Sequence, residues 1–152
     1  MANVRAATLE DIDSLVHHRI SMFTEMGTPI DAAAVRGAYR MWLAAMMPPG
    51  TYRAWVVEEG GIVVAGAGIT ILPWPPGPQW LGGRIAYVSS VYTEPVHRSR
   101  GLARSLMEAA HKWCRAQAIS LVGLTTSDAG RPLYESMGYR VAASPTMWAR
   151  VD

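Results

Sequence analysis

AYVSSVYTEPVHRSRGLARSL, residues 86–106, carries the reading from which the rest of the chain can be placed. Its first half is β-branched and aromatic and reads as a strand. From Gly101 onward the rhythm is helical, with Leu102 and Leu106 one turn apart. Between the two stand His97, Arg98, Arg100 and Arg104 around a single glycine. Cations are unfavourable in the first turn of a helix, where the dipole is already positive. Two readings follow: a solvated basic turn, or a seat for a strongly anionic ligand. The first N–H groups of a helix have no partners within it and converge on one spot. A phosphate or pyrophosphate there satisfies both the free donors and the dipole. Gly101 lets the backbone approach such a ligand, and Arg98, Arg100 and Arg104 can add charge-assisted hydrogen bonds.

Outward from this stretch, apolar periodicity places the other elements. Residues 3–7 read as a short strand. Thr8 caps a helix, with Asp11 three residues on, and Ile12, Leu15, Val16, Ile20 and Phe23 share one face. Asp31 caps a second helix whose inner face is Val35, Tyr39, Trp42, Leu43 and Met46, and Pro48-Pro49-Gly50 ends it. Residues 51–72 read as two strands around the turn Glu58-Glu59-Gly60-Gly61. A proline-rich loop, 73–83, carries Trp74 and Trp80. After the opening stretch, the helix from Gly101 turns Leu102, Leu106, Ala109, Trp113 and Cys114 inward. Residues 120–127 read as a strand, 129–138 as a short helix ending at Gly138, and 139–151 as a closing hairpin. The order β-α-α-β-β-β-α-β-α-β-β, with no internal repeat and no linker, predicts one α/β (α+β) domain over 1–152 with about four helices.

The bulk numbers narrow the function classes. Half of the 152 residues are hydrophobic and the net charge is +2, from 14 basic and 12 acidic residues. That is a folded chain, too weakly basic for general nucleic-acid binding. One cysteine, Cys114, excludes an intrachain disulfide and suits a reducing, cytoplasmic setting. No secretory leader is visible, and GIVVAGAGITIL is too short to span a membrane. His17 and His18 are adjacent on a helix and point to different faces, so one exposed and one part-buried is the expected arrangement. With four scattered histidines and no ligand spacing, no metal requirement is expected. Cys114 reads as core, and Glu58 and Glu59 as a solvated turn.

RSRGLA fits the template Arg/Gln-x-x-Gly-x-Gly/Ala, between a strand and a helix, and LYESMGY follows one strand and one helix later. Together these resemble the GNAT superfamily of acetyl-coenzyme A-dependent N-acetyltransferases, and the element order matches over nearly the whole chain. The resemblance implies a mixed, mostly antiparallel, splayed sheet flanked by about four helices, and acetyl-CoA as co-substrate. It implies that Val91, Tyr92 and Thr93 line the pantetheine arm, and that Arg98, Ser99, Arg100, Gly101, Leu102, Ala103 and Arg104 hold the pyrophosphate. Tyr134 matches the tyrosine that protonates the departing thiolate in many members. Ser127 falls where many members have an asparagine touching the cofactor, and Thr93 replaces a more usual valine.

The chemistry sets its own demands. A lysine-like amine must lose a proton before attack, at about 4–5 kcal/mol near neutral pH. The oxyanion needs a backbone N–H, which a bulge within Ser90–Thr93 would supply. The strand before the tyrosine helix has no carboxylate, so the base is sought among Glu25, His17, His18, or a water relayed by Tyr87, Ser89 or Ser90. Candidate acceptor contacts are Glu25, Met26, Trp74, Tyr87 and Ser89. Trp74 and Trp80 could serve as a lid, a homodimer contact or plain surface. The acceptor is expected to be a small-molecule or peptide amine, with a small amine bearing an apolar body preferred. A non-catalytic acyl-CoA-binding module on the same fold is the rival class.

Overall fold

A computed structural model describes residues 2–78 and 80–152. Five strands form one sheet in the order β1 (Val4–Ala6), β2 (Tyr52–Glu59), β3 (Ile62–Pro73), β4 (Arg84–Thr93) and β5 (Val122–Leu124). The first three pairings are antiparallel and β4 pairs with β5 in parallel. The helices are α1 (Ile12–Glu25), α2 (Ala32–Met46), α3 (Leu102–Ala116) and α4 (Arg131–Ser136). This is the mixed, mostly antiparallel sheet with four helices that the family resemblance implied.

Local chemistry accounts for the boundaries. The Thr8 hydroxyl accepts from the Glu10 N–H and the Asp11 carboxylate accepts from the Thr8 N–H, closing a capping box ahead of α1. Asp31 caps α2 through the Ala34 N–H. The β2–β3 turn runs through Gly60 and Gly61 at φ 57° and 78°, a left-handed pair that suits a tight hairpin.

Alternation along the strands sends side chains to two cores. On one face α3 presses Leu102, Leu106, Met107, Ala110 and Cys114 onto Val57, Ala65, Ile69 and Val88. On the other, Leu15, Val16 and Leu43 from α1 and α2 pack on Tyr52, Ala54 and Val56. Cys114 is buried, as expected, and burial raises its thiol pKa.

Two expectations are corrected. Residues 139–152 form no hairpin: the segment has no strand, and Val141, Met147, Trp148 and Val151 are exposed. Alternating apolar residues suit a strand, but a strand also needs a ladder partner, and Pro145 offers no N–H to one. The turn Glu58-Glu59 is not merely solvated. Glu58 bonds Arg5 at 2.7 Å and Glu59 bonds Arg100 at 2.6 Å.

Candidate active site

The site grows from an irregularity in β4. Ala65 pairs with Thr93 and Gly66 with Tyr92, but Gly68 pairs with Ser89. Ser90 and Val91 thus stand opposite Ala67 alone, a bulge. Ser90 takes φ 56°, a left-handed conformation costly for a serine. Pairing with β5 is confined to Ala86–Val122, Tyr87–Gly123 and Val88–Leu124. Beyond Val88, β4 continues without β5 beside it, which leaves a gap between the two strands. The bulge falls within the predicted range and borders that gap.

Downstream of β4, a short turn at Pro95–His97 leads to Gly101, at φ 76°, and then to α3. No side chain caps α3. A Cβ at Gly101 would meet nothing within 4 Å, so the approach to the free N–H groups is open. Ser99 is also left-handed, at φ 61°, while Leu102 is buried and Ala103 half-buried. Arg98 donates to Glu25 at 2.7 Å and to the Thr93 carbonyl at 2.8 Å, and covers the Tyr92 ring. Arg100 donates to Glu59, and Arg104 donates to the Ser136 hydroxyl at 2.6 Å. The three arginines flank this turn on an exposed surface, but their guanidinium groups are held by three different segments: Arg98 by Glu25 at the end of α1, Arg100 by Glu59 at the β2–β3 turn and Arg104 by Ser136 of α4. An uncapped helix start and an open glycine with exposed arginines on either side fit a diphosphate.

Across the gap, α4 brings Tyr134 against the α3-side core, its ring 5.8 Å from that of Tyr139. Burial raises its hydroxyl pKa above the usual value of 10, so it stays protonated at neutral pH. Ser127 is exposed and accepts from the Gly130 N–H at 3.2 Å, which builds the turn into α4. Val91 lies on the α3 side of β4, whereas the Tyr92 ring lies on the α1 side, donating to Glu25 at 2.9 Å. Tyr87 reaches over β5 to the Thr125 hydroxyl. Met26 and Trp74 are exposed large hydrophobic residues.

The candidates for a base fare unequally. Glu25 is held below the usual carboxylate range by the Arg98 guanidinium, against a smaller effect of desolvation. His17 is exposed and lies 3.0 Å from Glu94. His18 is buried, and desolvation pushes it down to about 4. The two histidines do part as expected, but His18 is fully rather than partly buried. Among the described residues no group of three His, Cys, Asp or Glu is placed to hold a metal ion.

Sequence reasoning missed one residue here. Arg19 of α1 donates to the Ser90 hydroxyl at 2.7 Å, directly on the bulge. The signal was present: Arg19 falls three and four residues after Val16 and Leu15, on the apolar face of its helix. The hydroxyls of Tyr39 and Tyr52 lie 3.2 Å apart, a pairing that spacing along the chain does not signal.

The sequence profile of the Acetyltransferase (GNAT) family matches residues 13–139. The chain belongs to this family. Over 98% of its length it superposes on 99% of a GCN5-related N-acetyltransferase from Ralstonia eutropha JMP134, with TM-score 0.90 and 31% identity. A predicted acetyltransferase from Clostridium acetobutylicum, crystallised with acetyl-CoA, matches at TM-score 0.87 and 25% identity, covering 100% of this chain and 96% of that one. A mouse protein described as probable N-acetyltransferase family 8 member 5 is 33% identical over 89 residues. That match spans 57% of this chain and 37% of the mouse protein. No described helix is long and apolar enough to cross a membrane.

Proposed function

We propose that residues 1–152 act as one acetyltransferase domain that moves the acetyl group of acetyl-CoA directly to the nitrogen of a small amine with an apolar body. The observation that carries this reading is the bulge at Ser90–Val91, which borders the β4–β5 gap and leads to the uncapped start of α3. The first N–H groups of α3, with Arg98, Arg100 and Arg104, hold the diphosphate. Val91 and Thr93 offer backbone groups to the pantetheine arm, in the manner of an added strand. Bound there, acetyl-CoA supplies the acetyl group as a thioester. A backbone N–H of the bulge receives the charge that develops on the carbonyl oxygen. Tyr134, neutral at pH 7, gives its proton to the leaving thiolate. With Glu25 engaged by Arg98 and His18 buried, the amine proton leaves through water along the hydroxyls of Tyr87, Ser89 and Ser90.

The test is release of free thiol from acetyl-CoA with a panel of amines, on the parent and on Tyr134→Phe. The variant keeps the ring and its packing. Its kcat should fall by roughly 10²–10⁴, the range of general-acid catalysis, with acetyl-CoA binding and melting temperature nearly unchanged. A fall of less than about twofold ends the role of Tyr134. Calorimetric binding of acetyl-CoA with no thiol release for any amine replaces the enzyme by an acyl-CoA-binding module.

A further inference from the structure

Arg19 differs from the other arginines that surround the site. Arg98, Arg100 and Arg40 each bond a carboxylate, at 2.7, 2.6 and 2.5 Å. Among the described residues no carboxylate lies within 4.0 Å of the Arg19 nitrogens, and the acids of its own helix, Asp13 and Glu25, are engaged by Arg40 and Arg98. Its one hydrogen bond goes to the neutral hydroxyl of Ser90. Yet Arg19 is half-buried, its guanidinium carbon 5.1 Å from the centre of the Phe23 ring and 4.8 Å from that of Tyr39. A guanidinium has five N–H donors at its edge, and aromatic rings take its faces. Here the faces meet rings, and only one hydrogen bond is made at the edge. The remaining edge donors of Arg19 are not among the buried unsatisfied atoms, so an anion arriving from solvent can take them without displacing a carboxylate of the protein.

The location says which anion. Arg19 bonds the bulge residue itself, at the point where the proposed transfer takes place. Any group it holds lies within a few bonds of the nitrogen that receives the acetyl group. A planar carboxylate matches the two-pronged edge of a guanidinium. We propose that the acceptor carries a carboxylate next to its amine, as an α-amino acid does, and that Arg19 binds it. The inference rests on the acetyltransferase reading and names its substrate class. It also agrees with an acceptor of apolar body, since Phe23 and Tyr39 present rings beside the charge.

The experiment measures thiol release from acetyl-CoA with a panel of α-amino acids, each as the free acid and as its carboxamide. The amine of the amide is the less basic, so more of it is deprotonated at neutral pH. A preference for the acid must then come from recognition. The acids are expected to exceed their amides in kcat/KM by about 10². Arg19→Gln should remove that ratio by lowering the acids alone, and Arg19→Lys, which keeps the charge but loses the fork, should retain about a tenth of it. Amides acetylated as fast as acids overturn the assignment and leave acetyl transfer standing. So does an Arg19→Gln variant that slows acids and amides equally, which marks a structural role. No thiol release from any α-amino acid, beside release from another amine, overturns the assignment alone, and no release from any amine at all overturns both.

Discussion

His18 sits on α1 at 2% exposure, against Gly66 and 5.1 Å from the ring of Tyr92. Neither ring nitrogen has a hydrogen-bond partner among the described residues. Desolvation is the main cause of its low pKa; His17 adds to it and Glu94, 3.6 Å away, opposes it. The unfolded chain takes up this proton near pH 6.5 and the folded chain near about 4. The native state therefore binds fewer protons between these values, and stability falls as pH falls through that window. The full effect, reached below pH 4, is about 3 kcal/mol. Urea unfolding of the parent at pH 7 and pH 4.5 should show much of this loss, and His18→Gln, which does not titrate, should show a flatter dependence. Equal slopes for the two proteins would mean that His18 is charged or solvated in the fold. The same residue bears on catalysis, because an imidazole that resists its proton down to about pH 4 makes a poor acceptor for an ammonium proton at neutral pH.

Among the elements, β3 shows how one missing side chain shapes a neighbour. Gly68 pairs with Ala54 on one side and Ser89 on the other, in the middle of the sheet. A Cβ there would lie 1.8 Å from the Tyr52 hydroxyl oxygen and 2.2 Å from its ring carbon. Tyr52 is 1% exposed and its hydroxyl meets that of Tyr39, so it has no room to swing aside. Gly68→Ala should destabilise by about 1–3 kcal/mol through overpacking, read as a lower denaturation midpoint. An unchanged midpoint would show that Tyr52 does not rest on Gly68. Elements of this kind were legible where the signal is local. The Thr8–Asp11 box, the Gly60-Gly61 turn and the Leu102–Leu106–Cys114 face all followed from spacing. The closing hairpin did not, because 139–152 alternates correctly but meets no partner strand, and pairing is not a local property. The bulge was placed within Ser90–Thr93 by chemical need, and its register became visible only against β3. Arg19 escaped because an arginine on an apolar face is read as surface until its aromatic neighbours are known.

At the scale of the whole molecule, two ion pairs tie distant segments to the start of α3. Glu25, at the end of α1, holds Arg98, and Glu59, at the β2–β3 turn, holds Arg100 together with His97. The charge just ahead of α3 is thus balanced by carboxylates brought from elsewhere in the chain, whereas Arg104, within the first turn, meets the Ser136 hydroxyl. In the proposed complex these carboxylates compete with the diphosphate for the same guanidinium groups. Exposed pairs of this type are weak and salt-sensitive, whereas a diphosphate offers more charge and the N–H groups of α3 besides. The diphosphate should therefore win, with part of its attraction spent on displacing the carboxylates. Three variants separate these contributions by calorimetry with acetyl-CoA. Arg98→Glu and Gly101→Asp each set an anion against the ligand and should weaken binding by at least about tenfold. Glu59→Gln removes a competitor and keeps the turn, so affinity should stay level or rise by up to about fivefold. Raising the salt concentration should lower the affinity of the parent, and less so that of Arg98→Glu. Undiminished binding in both Arg98→Glu and Gly101→Asp would remove the diphosphate from this turn. Loss of affinity in Glu59→Gln would mean instead that the carboxylate positions Arg100 for the ligand rather than competing with it.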